Sequence, residues 1–208
     1  MRMRLTWRRA SVWRARGERL PRALIRERTL RVAIGALASA TSVEQVAKAV
    51  RDAASGLLPD VPVECAAILA VREGDRLREI DPAGPSRPEH PPDPIGVWLA
   101  LAGDRTSTFA SVEEITAARG GTVPSASPPE VSARAGYQGA LICPLTLKDR
   151  PTGEEFIGLV AFFGDRRTLG DLAAMLEILV GQAALAVERL ALTQQVARQR
   201  GEALFRTL

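Results

Sequence analysis

The segment from residue 168 to residue 208 constrains the fold more than any other part of this 208-residue chain. It contains no proline, and Thr168 is suited to cap a helix at its start. Its apolar residues recur at alternating intervals of four and three positions, which is the spacing of a heptad seam. The sequence therefore predicts one long helix with a seam made of Leu176, Val180, Ala183, Val187, Leu190, Gln194, Ala197, Gly201, Leu204 and Leu208.

The apolar side of this helix narrows along its length. As far as Leu190 a second apolar set (Leu172, Leu179 and Ala186) widens it, as a helix packed on a domain requires. Beyond Ala191 only the single seam remains, so we expect the second half to project and pair with another helix; a solvated tail is the alternative. The candidate dimer and relay residues are Leu176, Val180, Ala183, Val187, Leu190 and Leu204.

Two apolar runs upstream of this helix predict a sheet. Residues 139–147 and 155–163 are joined by the turn-forming stretch 148–153, which is typical of antiparallel neighbours, and we expect both to be central strands. Residues 63–71 and 76–80, separated by a Glu-Gly-Asp turn, predict a hairpin.

The first third of the chain predicts a helix pair. Residues 20–40 have the spacing of an amphipathic helix, and Thr41 or Ser42 can cap a second helix that ends before Pro59. Residues 82–94 contain six prolines and one glycine, which predicts an exposed loop. A short helix is expected over residues 95–101, followed by a second loop over 120–129.

The charge is concentrated at the amino-terminal end. Residues 1–31 hold eleven arginines against Glu18 and Glu27, a local balance of +9, so the rest of the chain carries −5 of the net +4. This basic arm is suited to anionic lipid headgroups or to nucleic acid, and a solvated linker is the third interpretation. We find no signal peptide and no uninterrupted apolar run of bilayer length, and therefore expect a cytoplasmic protein.

The residue types needed for catalysis are scarce. The only histidine, His90, lies in the proline-rich loop between Glu89 and Pro91, and no CxxC, HExxH or P-loop pattern occurs. We therefore expect no catalytic residues and no metal site. Cys65 and Cys143 lie within apolar runs, which favours reduced, buried thiols over a disulfide.

The order of these segments resembles that of a GAF domain. Residues 139–147, then 156–163, then 172–188 with Gln182-Ala-Ala-Leu-Ala-Val-Glu-Arg are similar to the closing strand, strand and helix of that family. The resemblance covers residues 28–192. After it, residues 199–208 are similar to the lead-in of a PAS domain, and the arrangement resembles actinobacterial-type multidomain signalling proteins with a diguanylate cyclase or histidine kinase output.

The resemblance implies an α/β (α+β) fold in which a central antiparallel sheet has the amino-terminal and carboxyl-terminal helices on one face. Together with the charge of the amino-terminal end, the resemblance divides the chain into three parts: a basic arm over 1–27, a GAF-like sensory domain over 28–192 and a signalling-helix linker over 193–208. Such a domain is non-catalytic, forms homodimers through its terminal helices and relays a signal to a downstream domain.

A ligand pocket is implied on the other face of the sheet. The candidate lining is apolar, and the identity of any cofactor or small-molecule ligand is open. The Asn-Lys and Phe-Asp-Glu motifs of GAF domains that bind cyclic nucleotides do not occur here. The candidate pocket residues are Trp98, Leu99, Phe109, Tyr137, Leu141 and Cys143.

Two other functions stay open at this point. Some GAF proteins reduce free methionine sulfoxide through cysteines, so Cys65 and Cys143 leave a cysteine-dependent reductase as an alternative. The other is a binding module recruited to a membrane or to nucleic acid by its arginine arm.

Overall fold

The computed structural model describes residues 6–58, 66–80, 107–118, 139–150 and 153–206, together with Val61 and the pair 93–94. These residues form four helices: α1 (Thr6–Ser39), α2 (Val43–Leu57), α3 (Val112–Ala118) and α4 (Arg166–Arg206). They also form six strands: β1 (Ala67–Glu73), β2 (Arg76–Ile80), β3 (Asp93–Pro94), β4 (Thr108–Ser111), β5 (Gly139–Arg150) and β6 (Gly153–Gly164).

The six strands form one antiparallel sheet in the order β3-β2-β1-β6-β5-β4. The predicted pairing of residues 139–147 with 155–163 is confirmed, and so is the hairpin of β1 and β2. That hairpin turns at Gly74, whose φ of 66° is the conformation that a tight two-residue loop requires and that glycine adopts without strain. The short strands β3 and β4 and helix α3 were not predicted; β3 lies within residues 82–94, which were expected to be a loop.

The helices are divided unequally between the two faces of the sheet. α2 and α4 pack on one face and α1 packs on both of these helices, so this helix face carries the larger core, with Leu37, Val50 and Leu176 among its members. The opposite face carries a smaller apolar cluster that includes Ile142, Phe163 and, from α3, Ile115. The predicted fold class, a central antiparallel sheet with the amino-terminal and carboxyl-terminal helices on one face, is confirmed.

Helix α1 is longer than the sequence pattern indicated. The predicted helix over residues 20–40 begins at Thr6 and includes Pro21 in its interior. Proline has no N–H to donate to the carbonyl of Gly17, so the hydrogen-bond ladder of α1 is interrupted there. Helix α2 begins as predicted: Ser42 is its N-cap, and the Ser42 hydroxyl accepts from the backbone N–H of Gln45.

Helix α4 is continuous from Arg166 to Arg206, so the predicted single long helix is confirmed. Its cap differs from the prediction. The Asp165 carboxylate accepts a hydrogen bond from the backbone N–H of Thr168 at 2.9 Å, so Asp165 closes the first turn and Thr168 lies inside the helix.

Part of α4 also has the length and composition of a bilayer span. Among the described residues, Arg166–Gln199 meets that criterion, although charged residues interrupt its apolar sequence. In the structure, 39% of its most apolar window is buried, and the buried residues lie against the sheet. The hydropathy of α4 therefore comes partly from its role as a core helix.

Replacing Asp165 with alanine is expected to lower the free energy of unfolding by about 1 kcal/mol at pH 7, because the N–H of Thr168 loses its acceptor. Hydrogen bonds from Thr168 hold the pKa of the Asp165 carboxyl below its usual value. The stabilisation is thus present above the unfolded pKa and is lost as the pH falls through the folded pKa. Asp165→Asn keeps an oxygen acceptor that does not titrate.

Urea unfolding at pH 7 and pH 3 measures this effect. The wild type should lose more stability between the two pH values than Asp165→Asn does. Equal losses would show that the carboxylate makes no charged contribution to the cap.

Candidate functional site

The most specific contact between the terminal helices is made by Arg189 of α4. Its guanidinium donates to the carbonyl of Ala40 at 2.7 Å and of Leu37 at 3.2 Å, and also to the carbonyl of Ala38. These carbonyls belong to the end of α1, where a helix leaves its last four carbonyls without intrahelical partners. A cation at the carboxyl-terminal end of a helix also interacts favourably with the helix dipole. Arg189 therefore fixes the end of α1 to one turn of α4.

The contacts also show that α1 and α4 run in the same direction. Gly56, at the end of α2, lies against Thr29 of α1, so α2 runs back along α1. The residue Val43, at the start of α2, shares a groove with Val187 of α4. The chain after α2 returns to the start of α4, because Ala66 accepts a hydrogen bond from Phe163. Since α2 is antiparallel to both, α1 and α4 are parallel.

A groove of about 360 Å³ opens where α4 leaves the sheet. One wall is formed by α4 and the other by the adjacent ends of β1, β5 and β6 and the start of α2. The lining mixes apolar and charged side chains and includes Val71, Arg72, Leu147, Phe156, Leu190 and Gln194.

After Leu190, α4 is exposed to solvent. Leu190 is 9% exposed and belongs to the core, whereas residues 191–199 are all exposed. Of the predicted relay residues, Leu176, Val180 and Ala183 are buried against the sheet, and Val187 is packed at the edge of the same core. The side chain of Leu204 lies outside the described part of the chain. The structure therefore places the first half of the predicted seam inside the domain's own core.

The candidate pocket residues divide into two groups. Trp98, Leu99 and Tyr137 lie outside the described residues. Leu141 and Cys143 belong to the core between the sheet and the helices, and Phe109 packs against that core from β4. These three therefore face the helices, not the opposite face on which the resemblance implied a pocket. The strand β5 is apolar on both sides, so its sequence carries no alternation that would have indicated which residues point where.

The thiol of Cys143 is in an unreactive setting. Burial, with a smaller contribution from the nearby Glu177 carboxylate, raises its pKa to about 12. The thiolate is the nucleophilic form, so almost none of it is present at neutral pH. Cys65 lies outside the described residues. No feature of Cys143 supports the reductase alternative.

Two polar contacts attach the edge strand β4 to α4. The Ser107 hydroxyl, just before β4, donates to the Glu177 carboxylate at 2.5 Å. The guanidinium of Arg166 lies 5.4 Å from the centre of the Phe109 ring, which is within the range of a cation–π interaction. Because β5 is the neighbour of β4, these contacts hold the edge of the sheet against α4.

The described part of the chain offers little that could perform chemistry. Within it, no group of three or more His, Cys, Asp or Glu residues is arranged to hold a metal ion. The described core of the opposite face consists of apolar side chains alone, such as Ile68, Ala140 and Ala161. The hydrogen bonds of Ser107 to Glu177 and of Arg189 to the end of α1 connect α4 to elements far away in the sequence.

The role of Arg189 is not indicated by the sequence. An arginine on an amphipathic helix normally indicates a solvated position, and only its height relative to the end of α1 reveals its role. The exposed apolar residues on the outer side of α4 are not indicated either, because α4 is apolar on more than one side.

Comparisons with known proteins support the fold. No protein-family model matches the sequence, and a search of curated proteins finds no match. Residues 122 to 287 of a methyl-accepting chemotaxis protein superpose with a TM-score of 0.51 at 16% identity, covering 79% of this chain and 99% of that one. The chromophore-binding domain of a Stigmatella aurantiaca bacteriophytochrome gives a TM-score of 0.50 at 14% identity, covering 78% of this chain and 60% of that one.

A third similar structure is the GAF domain of the potassium sensor histidine kinase KdpD from Escherichia coli, with 19% identity, a TM-score of 0.45 and coverage of 81% and 97%. Identities this low show a likeness of fold alone. The strand order, the placement of the helices on one face and the first two superpositions together show that the chain has a GAF-like fold.

Proposed function

We propose that this chain is a non-catalytic sensory and dimerisation module that relays a signal through its terminal helices. The single observation that carries the proposal is the course of α4, which is rooted in the core as far as Leu190 and continues as an exposed helix over residues 191–199. A change in the sheet or in the groove beside Leu190 would alter the direction of the part of α4 beyond Leu190, which we call the free segment. Packed helix interfaces switch between discrete arrangements, which makes such a segment a suitable transmitter.

The free segment also needs a partner. Most of the stability of a helix in a protein comes from packing of its apolar side, so the part of α4 beyond Leu190 is expected to pair with another helix. The partner that the proposal names is a second copy of the chain. The three-part division at residues 27/28 and 192/193 belongs to the same proposal, with the last part leading to a PAS domain and then to a diguanylate cyclase or histidine kinase output in an actinobacterial-type protein.

We place the module in the cytoplasm and expect it to bind a small molecule. The arginine-rich first half of α1 would lie at the end of the domain opposite the free segment of α4, because α1 and α4 are parallel. Contact of this half with an anionic membrane surface or with nucleic acid is an additional role that its charge permits.

The full chain is expected to sediment as a dimer at micromolar concentration. Backbone amides of residues 191–206 should exchange slowly with deuterated solvent in the dimer and faster on dilution, because pairing stabilises the helix. Analytical ultracentrifugation combined with hydrogen exchange read by mass spectrometry measures both. A chain that is monomeric at all accessible concentrations, with rapid exchange over residues 191–206, would rule out the relay.

A further inference from the structure

The groove beside Leu190 is a place where the core on the helix face of the sheet reaches solvent. Its floor is made of some of the least buried members of that core: Val71 and Leu190 are 9% exposed, and Leu147 is 7% exposed. Ile157 and Val187 line the same groove, are partly buried and pack against this core. The volume of about 360 Å³ lies within the range of small-molecule sites, which is about 300–1,000 Å³. The groove therefore offers an apolar floor to a molecule of that size.

An irregularity of β6 contributes to this floor. Val160 and Phe162 of β6 belong to the core on the helix face, so strict alternation would turn residue 157 to the opposite face. The register of β6 with β5 shifts where Thr146 lies opposite Phe156, and Ile157 packs on the helix face instead. Bulges that redirect a side chain in this way are frequent next to binding sites.

The rim of the groove carries an excess of negative charge. The carboxylates of Glu73, Glu155 and Glu188 line it, against the single guanidinium of Arg72. Three negative charges and one positive charge give the lining a formal charge of −2. The guanidinium of Arg72 donates to two backbone carbonyls of the chain, at 2.9 and 3.4 Å, so part of its donor capacity is used within the protein. Such a lining attracts cations and repels anions.

The start of α2 also borders the groove, through Val43. The positive end of its helix dipole would by itself favour an anion. Glu44 lies in the first turn of α2, however, and the Ser42 hydroxyl accepts from the backbone N–H of Gln45. The dipole is thus offset by groups of the chain itself.

The groove spans the two parts of α4. Val187 and Leu190 belong to the part that is packed on the domain, whereas Ala191, Gln194 and Gln195 are exposed and belong to the free segment. A molecule in the groove would therefore contact the sheet and the free segment at the same time. It shifts α4 to the extent that it binds one direction of the free segment more tightly than another.

We propose that this groove is the small-molecule site of the module and that it takes a cation with an apolar body, such as an arylalkylammonium ion. This inference rests on the proposed function, and it places the site on the helix face, whereas the resemblance implied a pocket on the opposite face of the sheet. The apolar body would lie on Leu147, Val187 and Leu190, with the cationic group toward the carboxylates of the rim.

Two probes of nearly equal size and opposite charge test the ligand class: phenethylammonium and 3-phenylpropionate. In titrations of the full chain followed by ligand-observed NMR, the dissociation constant should be at least about tenfold lower for the ammonium at low ionic strength. Added sodium chloride should reduce this ratio, because salt screens the carboxylates of the rim. Equal affinities, tighter binding of 3-phenylpropionate or no binding of phenethylammonium would overturn the inference.

Two substitutions on α4 test the location. Ala191 is exposed and lines the groove, so Ala191→Trp should fill it and raise the dissociation constant of phenethylammonium at least about tenfold. Ala197 is also exposed on α4 but does not line the groove, and Ala197→Trp should change the constant less than about twofold. Both variants should keep the urea midpoint of the wild type, because both positions are exposed. Equal effects on binding would place the probe elsewhere and overturn the inference.

A charge-matched pair tests the rim. Glu188→Gln removes one carboxylate from the groove and should weaken binding of phenethylammonium at least about threefold. Glu113→Gln makes the same change on α3, where Glu113 is exposed and outside the groove, and should have no such effect. Equal affinities of the two variants would contradict the role given to the rim.

Hydrogen exchange and sedimentation separate this inference from the proposed function. Phenethylammonium should slow exchange of the amides of residues 187–195 in the wild type but not in Ala191→Trp. A dimer with slow exchange over residues 191–206 that binds neither probe would overturn the inference and leave the proposed function standing. A chain that is monomeric at all concentrations but binds phenethylammonium, with that binding lost in Ala191→Trp, would overturn the relay and support the site.

Discussion

Gly158→Ala is expected to lower the free energy of unfolding by about 3 kcal/mol, although it adds a single methyl group. Gly158 lies in β6 between β1 and β5, opposite Val71 and Leu145. A Cβ at this position would lie 2.3 Å from the carbonyl oxygen of Ala70, which belongs to the neighbouring backbone. Relief of that clash requires the central strands to separate.

The local geometry explains why the strands are so close there. The register of β5 and β6 passes from Leu145 opposite Gly158 to Thr146 opposite Phe156, so Ile157 is an extra residue. Such a bulge bends and twists the strand, and glycine often marks the point where another backbone approaches.

The control for Gly158→Ala is Gly164→Ala, at the end of the same strand. The nearest atom to its added methyl group is the Leu169 side chain at 3.4 Å, which can shift slightly, so we expect a loss below about 1 kcal/mol. Urea unfolding followed by far-ultraviolet circular dichroism measures both variants. Similar losses for the two would show that the approach of Ala70 is not what requires glycine at position 158.

The second large effect is expected for Arg189→Ala, which should lower the free energy of unfolding by about 2–3 kcal/mol. The truncation removes a charged donor from three carbonyls at the end of α1. Two of those carbonyls, of Leu37 and Ala40, belong to residues that are at most 5% exposed. The carbonyl of Leu37 keeps a hydrogen bond from the N–H of Ala40, whereas the carbonyl of Ala40 would lose its donor and retain the cost of its desolvation.

Arg189→Lys should recover less than half of this loss, because one ammonium group cannot reproduce the planar fork that reaches several carbonyls. Arg198→Ala is the matched control, since Arg198 is exposed on α4, as Arg189 is, and lies nine positions further from the end of α1, and its effect should stay within about 0.5 kcal/mol. Hydrogen exchange adds a local measurement: with Arg189→Ala, amides near the end of α1 should exchange faster. An Arg189→Ala variant as stable as Arg198→Ala would contradict the structural role given to Arg189.

The parts of the fold that could be predicted are those in which local pattern and tertiary structure agree. The long helix α4, the β5 and β6 pair and the Ser42 cap are examples. The strand β4 and the helix α3 are short, and β4 is held by pairing with β5 and by the bond from Ser107 to Glu177. Neither the pairing of β4 with β5 nor this hydrogen bond can be inferred from the local sequence. Asp165 and Thr168 are both good caps, and only the point at which β6 ends decides between them.

The candidate site was harder to predict for a related reason. In a strand that is buried on both sides, the residue type does not indicate which side is which, so Leu141 and Cys143 could not be assigned to the helix face in advance. Helix α4 presents the same ambiguity, because it has two apolar lines. The sequence shows both lines, and only the packing of α4 on the sheet shows that Leu176 is covered while Leu185 is exposed.

The unbroken course of α4 through the edge of the domain has a consequence for protein engineering. The helix is continuous from Leu190 to Arg206, so an insertion there shifts and rotates every residue that follows it. Inserting one residue after Leu192 would rotate everything downstream by about 100° and advance it by about 1.5 Å, whereas inserting seven would restore almost the same angle. In chimeras that join a downstream enzyme to α4, the proposed relay therefore predicts an output that varies with linker length in steps of a heptad.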